Sequence, residues 1–505
     1  MTKPETVGLD PSAGECEAAD AWLGDDFILP NAQTFHIIRA MKRLLTFAAI
    51  VILVLLQTGL NAAAPQILSP SNEKGGFTLQ WKGDTDGAFT IQTTESLLNG
   101  VWLAGSSPMP WPIRTNLWND ATGSGGSRYY RVLSVQPSQR GKIISSRLLV
   151  GYSALELGFI FQLGGIPVQS QLGVEVYQLV YETIDPWGGR IQASGVVVIP
   201  QGANKSLPIA SYQHGTLVAR TDAPSISAFG ERVVGLVFGS TGYVGILPDY
   251  LGLGESPGMQ PYHHARSEGS AGVDMLRAAR TFCLGRGLKL NGQLFLAGYS
   301  HGGHATMALL REIETHHSAE FTVTAAAPMA GAYDLSGVSL DDFLSDRPVP
   351  NPYYAALLVA MVQNVYQIVP KLADLFVEPY ATKLPPLLDG SHSSDEINSL
   401  LPTSPKRALK PEVLAAILVD GKHPIRVALQ DNDVYQWRPV SPVRMYHCQA
   451  DQDVLIANSE LTFRKFQEVK APGVQLIDLN PAADHGGCSA PSLLAAKAWF
   501  DSLRQ

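Results

Sequence analysis

The sequence predicts an α/β protein in which a mostly parallel sheet carries helices on both faces, preceded by a small β-sandwich and interrupted late by a helical cap. Three observations predict it. After Gln136, apolar runs of strand length alternate with stretches of helical period, as in crossovers between parallel strands. From Pro65 to Val135, apolar and polar residues alternate in short runs broken by Gly, Asn, Asp and Ser, the signature of a small all-β unit. Between Tyr333 and Trp437 the chain runs far too long for a simple crossover, and long insertions in such sheets work as lids or binding walls.

The composition bounds the function. A chain of 505 residues, 45% hydrophobic and 16% charged, is long enough for two domains with one large core. The net charge of -8 leaves no basic footprint, which argues against nucleic acid as a partner.

Residues 1–40 mix acidic and apolar residues without helical or strand period, and read as a mis-assigned upstream start or a disordered leader. Met41, Lys42 and Arg43 then open an apolar run over 44–56 that ends in Ala62, Ala63 and Ala64. A basic start, a short apolar core and small exit residues form a secretory signal peptide over 41–64. The run is shorter than the ~18 to 20 residues of a spanning helix, so no stable membrane insertion is expected once it is removed. The expected product is secreted or periplasmic and begins at about Pro65. Without Cys16, three cysteines remain, and Cys283 in an apolar stretch reads as a buried thiol.

In the β unit, 65–137, Phe77, Leu79 and Trp81 share one strand face, Phe89 and Ile91 another, and Tyr130 and Val132 a third, with Trp102 and Trp118 completing an aromatic core. The pattern resembles a fibronectin type III-like module. A spacer or folding aid is the plain reading, and surface or polymer binding is the alternative.

In the catalytic part, 138–505, strands 174–184 and 191–199 form an antiparallel hairpin about Asp185-Pro186-Trp187-Gly188-Gly189. Buried-type strands follow at 208–213, 243–247, 293–297, 321–327, 442–448 and 474–479, with the cap at about 334–437. The strand at 293–297 runs into Gly298-Tyr299-Ser300-His301-Gly302-Gly303, and a helical pattern starts near Gly303. G-x-S-x-G at a strand-to-helix junction is a nucleophile elbow, which lifts a serine hydroxyl above the sheet.

A serine hydroxyl needs a histidine base, and the base needs a carboxylate to fix its tautomer. The chain order Ser, acid, His is met by Ser300, Asp451 and His485, with Asp453 as the alternative acid. His485 is the last histidine and the only one after the acid. His301 and His304 look like a metal pair, but His301 lies in the elbow, where its backbone N–H matters. That N–H is one expected oxyanion donor; the other comes from the loop Gln213-His214-Gly215-Thr216-Leu217, at Thr216 or alternatively Leu217.

Tyr212-Gln213-His214-Gly215-Thr216, the run Pro248 to Gly254, the elbow and Asp484-His485-Gly486-Gly487-Cys488 together resemble the secretory-lipase and esterase branch of the α/β hydrolases over about residues 170–505. The resemblance implies carboxylic ester hydrolysis through an acyl-enzyme, a small-molecule or lipid-like ester as substrate, and no metal or organic cofactor. It also makes Asp249 and Tyr250 a structural turn. The departure is at the acid loop, where Cys448 and Gln449 replace the more usual His-Gly.

Three other readings use the same residues. A prolyl-oligopeptidase-type serine peptidase shares the triad, but the β region is too short for a propeller. An acyltransferase differs only in excluding water, and a non-catalytic surface-binding protein would carry its function on the β module. Cys448 and Cys488 each lie three residues from Asp451 and His485, on loops that a triad would bring together, so a disulfide between them is expected. Tyr353, Tyr354, Leu357, Leu358, Met361 and Val362 in the cap read as packing or as an acyl or aryl pocket.

Overall fold

The computed structural model describes residues 66–505 apart from 74–75, 83–87, 99–101, 105–116, 121–127 and 136. The expected leader, signal peptide and mature start lie outside the described residues.

Alternation of apolar side chains builds the first unit. Strands β1 (Gln66–Glu73), β2 (Gly76–Lys82) and β5 (Leu117–Asp120) form one antiparallel sheet, and β3 (Ala88–Thr94), β4 (Leu103–Ala104) and β6 (Tyr129–Val135) another. Phe77, Leu79, Trp81, Phe89, Ile91, Trp118, Tyr130 and Val132 are buried together, as the pattern predicts. Trp102 is the exception: it lies half-buried with the Arg131 guanidinium 4.3 Å from its ring centre, a cation–π contact at the edge of the core.

Nine strands form the large sheet: β7 (Ile143–Tyr152), β8 (Val174–Ile184), β9 (Arg190–Pro200), β10 (Leu207–Gln213), β11 (Val244–Pro248), β12 (Leu290–Tyr299), β13 (Val323–Met329), β14 (Val443–Tyr446) and β15 (Val474–Ile477). Their spatial order is β15-β14-β13-β12-β10-β11-β9-β8-β7. The six strands from β11 to β15 run parallel, and β9, β8 and β7 continue antiparallel. Every strand read from sequence is present. The sheet also has β7, which the sequence pattern does not announce: as an edge strand with mostly exposed side chains it needs no apolar run.

Central strands read as continuous apolar runs because both faces are covered. One face packs under α3 (Ala265–Gly285) and α4 (His301–His316), through residues such as Met275, Leu276 and Leu309. The other packs against Leu157 and Phe161 of α1 (Ala154–Leu163), Leu236 and Phe238 of α2 (Arg232–Ser240), and Trp499 and Phe500 of the helix His485–Leu503.

Between β13 and β14 the chain forms a run of helices with its own core, including Tyr353, Leu357, Leu358, Met361 and Val362 from the helix Tyr353–Tyr366. One carboxylate ties its two ends together. Asp433 accepts the N–H groups of Leu335 at 2.8 Å and Ser336 at 3.1 Å, and the Ser336 hydroxyl at 2.7 Å.

Candidate active site

Ser300 is the single residue between β12 and α4, so the helix begins two residues earlier than its sequence pattern suggests. Its φ of 60° and ψ of -122° lie outside the regions comfortable for a side chain, a strain of order 1–3 kcal/mol that the surroundings must enforce. They do so through close backbone packing. A β-carbon on Gly302 would sit 1.9 Å from the Gln213 carbonyl oxygen, and one on Gly298 would sit 2.2 Å from the Gly302 oxygen. Only glycine lets the elbow and the loop after β10 approach this closely.

His485 begins the last helix, whose N-cap Asp484 accepts the Gly487 N–H at 2.8 Å, and the Tyr299 hydroxyl donates to the His485 carbonyl at 2.5 Å. From this fixed backbone, Nε2 reaches 2.9 Å to Ser300 Oγ and Nδ1 reaches 2.6 Å to Asp451 Oδ2. The three residues placed together by sequence order thus meet as one hydrogen-bonded line. Asp453 does not join it: its carboxylate accepts from Asn351 Nδ2 at 2.8 Å.

Asp451 is buried, and its other oxygen accepts the N–H groups of Asp453 at 3.0 Å and Val454 at 2.9 Å. Burial opposes ionisation here. The hydrogen bonds that His447 and His485 donate outweigh it and hold the carboxyl well below the usual carboxylate range. An ionised Asp451 accepts from Nδ1–H of His485, which leaves the Nε2 lone pair to accept the serine hydroxyl.

Cys448 and Cys488 are joined as a disulfide, with Cα atoms 5.9 Å apart across a separation of 40 residues. Cys283 is a free buried thiol, and burial pushes its pKa up to about 12.

The loop after β10 lies against the elbow. Thr216 Oγ1 hydrogen-bonds the Tyr262 hydroxyl at 2.8 Å, and Tyr262 lines the cavity above Ser300. Beside this loop, Glu231 accepts the Tyr212 hydroxyl at 2.9 Å. His214 is buried, with its ring nitrogens facing the carbonyls of Gly215 and Asp249, and burial lowers its pKa to about 4. Asp249 accepts from the Ser194 hydroxyl and the Ser225 N–H, and Tyr250 has φ 68°, as expected of a structural turn.

The His301 and His304 side chains point away from Ser300 chemistry, onto Glu268 of α3. His301 Nε2 and His304 Nδ1 lie 2.7 and 2.8 Å from its two oxygens, and His304 Nε2 donates to the Asn432 carbonyl at 2.9 Å. His263, Glu268 and His301 each bring a donor atom within 4.8 Å of the others, so these three could hold a metal ion, although Glu268 is already engaged by the two imidazoles.

A cavity of about 480 Å³ opens above Ser300, lined by Tyr262, Leu335, Phe343, Tyr354, Leu358 and Asp453 among others. Leu335, Phe343 and Leu358 also line a second, almost wholly apolar cavity of about 690 Å³ inside the cap.

A family model described as secretory lipase matches residues 233–476. The rice cell wall degrading esterase LipA from Xanthomonas oryzae, in a ligand-bound form, is 30% identical with TM-score 0.64, covering 72% of this chain and 96% of that one. The chain belongs to the secretory lipase family. A putative hydrolase from Legionella pneumophila is 26% identical with TM-score 0.66, covering 72% of this chain and 98% of that one. Candida antarctica lipase A in its closed state shares the fold at 17% identity and TM-score 0.54, over 73% of this chain and 85% of that one. No curated protein matches the chain. As a member of that family, the chain is a hydrolase of the lipase and esterase type on an α/β-hydrolase fold. No described helix is long and apolar enough to cross a membrane.

Sequence reasoning missed three groups of this chain: half-buried Glu231 near the loop after β10, and buried Glu268 under the elbow and His447 beside Asp451. Glu268 left a faint signal, as a carboxylate on the apolar face of α3. His447 stands four residues before Asp451, one position ahead of the Cys448-Gln449 pair at which the acid loop departs from the usual pattern.

Proposed function

We propose that this chain is an exported serine carboxylic ester hydrolase working through an acyl-enzyme on Ser300. The observation that carries the proposal is the Ser300–His485–Asp451 line at a strained strand-to-helix turn, in a chain of the secretory lipase family. Ser300 Oγ attacks the ester carbonyl while His485 Nε2 takes its proton; Asp451 holds the tautomer and stabilises the imidazolium. The tetrahedral oxyanion is received by the backbone N–H groups of His301 and Thr216. His485 then protonates the leaving alkoxide, and water cleaves the acyl-enzyme by the same steps in reverse. No step calls for a cofactor.

The apolar cavity in the cap shares Leu335, Phe343 and Leu358 with the cavity over Ser300, which supports an acyl chain lying beneath the cap. Hydrolysis of p-nitrophenyl acetate and p-nitrophenyl octanoate is expected, with the octanoate at the higher kcat/KM, and no turnover of a dipeptide p-nitroanilide. Amide cleavage without ester cleavage would select the peptidase reading instead.

Export is supported by the family and by the Cys448–Cys488 disulfide, since such bonds persist in oxidising compartments. N-terminal sequencing of protein from medium or periplasm is expected to start at about Pro65. A product still carrying Thr2 or Glu5 overturns the signal peptide. The β module, 65–137, is proposed as a spacer or folding aid.

A further inference from the structure

Asp451 is held by a second imidazole besides His485, and we propose that His447 is a positioning residue of the hydrolytic reaction, fixing the oxygen of Asp451 that faces His485. The inference rests on the assignment of Ser300, His485 and Asp451 proposed above.

His447 directly follows β14 and is fully buried. Its Nε2 lies 2.8 Å from the Val454 carbonyl oxygen, which can only accept, so Nε2 carries the hydrogen. The same Nε2 is 3.2 Å from Asp451 Oδ2, so one N–H is shared between the carbonyl and the carboxylate. Nδ1 lies 2.7 Å from Ser459 Oγ and accepts its hydroxyl proton. The Val454 carbonyl fixes Nε2 as a donor, and in the neutral ring this leaves Nδ1 to accept from the Ser459 hydroxyl.

Oδ2 is also the oxygen 2.6 Å from His485 Nδ1, while Oδ1 is held by the Asp453 and Val454 N–H groups. The carboxylate therefore has donors on both oxygens and cannot turn about its own axis. A carboxylate free to turn would swing the His485 ring out of line with Ser300. The second donor also draws charge from Oδ2, so Asp451 pulls less strongly on the Nδ1 proton than it would with His485 alone. Tyr299 and Arg347 are coupled to Asp451 through space, and neither hydrogen-bonds Oδ2.

A purely structural role would be to stitch the end of β14 to Val454 and to the helix Ala457–Glu468, and the experiment separates the two. In His447→Phe, kcat should fall about 10- to 100-fold, the usual scale for groups that orient a site's ligands or side chains, with KM within about twofold. The acidic limb of kcat/KM should move to higher pH, because Asp451 then attracts the His485 proton more strongly. The downfield proton resonance of the His485–Asp451 hydrogen bond should shift, and His447→Gln, which keeps a donor, should recover part of kcat. In an Asp451→Asn background, His447→Phe should cost nothing further. A folded His447→Phe protein that loses stability but keeps its pH limb and downfield resonance overturns the inference. If His447→Phe does not fold, His447→Leu, which also lacks a donor, with unchanged kcat, limb and resonance overturns it. If Asp451→Asn alone leaves activity intact, the acid assignment fails, a result distinguishable from failure of the His447 role.

Discussion

Ser300→Ala and His485→Ala should each lower ester turnover by about 10³-fold or more while leaving the fold intact, which corresponds to at least ~4 kcal/mol of lost transition-state stabilisation. The geometry explains why neither loss should add to the other. Ser300 Oγ and His485 Nε2 lie 2.9 Å apart and handle one proton between them, so removing either ends the same step. The double variant should match the single ones, and what remains should come from the oxyanion donors and from binding. Asp451→Asn should cost clearly, because an amide can present its N–H side to Nδ1 and select the wrong tautomer. Asp453→Asn should cost little, since Asp453 faces Asn351 rather than His485. Steady-state kinetics with circular dichroism on each variant is the measurement. A folded Ser300→Ala protein with near-normal esterase activity would make the elbow an ordinary turn.

The second large effect concerns stability. Replacing both Cys448 and Cys488 by alanine removes a crosslink that closes 40 residues, and chain entropy for a loop of that length puts the loss at about 4 kcal/mol. That is a sizeable fraction of the stability of an ordinary domain. Each sulfur is three residues from a member of the Ser300–His485–Asp451 line, so the loss should also appear as reduced kcat, through looser placement of Asp451 against His485. Equilibrium denaturation of the double variant beside the parent, both without reductant, gives the first number. An unchanged midpoint would show that the two loops are held by packing alone.

The parts of this molecule legible in the sequence are those whose signal is local or ordered along the chain. Ser300 announces itself because a strand, two obligatory glycines and a helix stand in immediate succession. Asp451 and His485 follow because each comes shortly after a later strand, and only one histidine remains after the acid. The central buried strands read directly, as 243–247 and 294–297 do, since burial on both faces favours apolar runs. β7 escaped for the opposite reason: Ile144 and Leu148 are exposed on an edge, and nothing in their pattern requires a partner. His447 escaped because a histidine at a strand end is indistinguishable from a core residue until the loop beyond it folds back. Glu231 and Glu268 are visible only once Tyr212, His301 and His304 surround them, and no spacing rule brings those elements together.

The tie made by Asp433 has a consequence for how this architecture can change over time. Leu335 and Ser336 at one end of the cap and Asp433 at the other are within hydrogen-bond reach, so the inserted helices leave and re-enter the sheet at one point. An insertion whose ends already touch adds little strain to its host, and its interior, from Tyr353 to Leu429, packs on itself. Such a segment behaves as a cassette. It can be lengthened, shortened or exchanged among homologues while the strands bearing Ser300, Asp451 and His485 keep their register, so substrate range can diverge without disturbing the machinery beneath it.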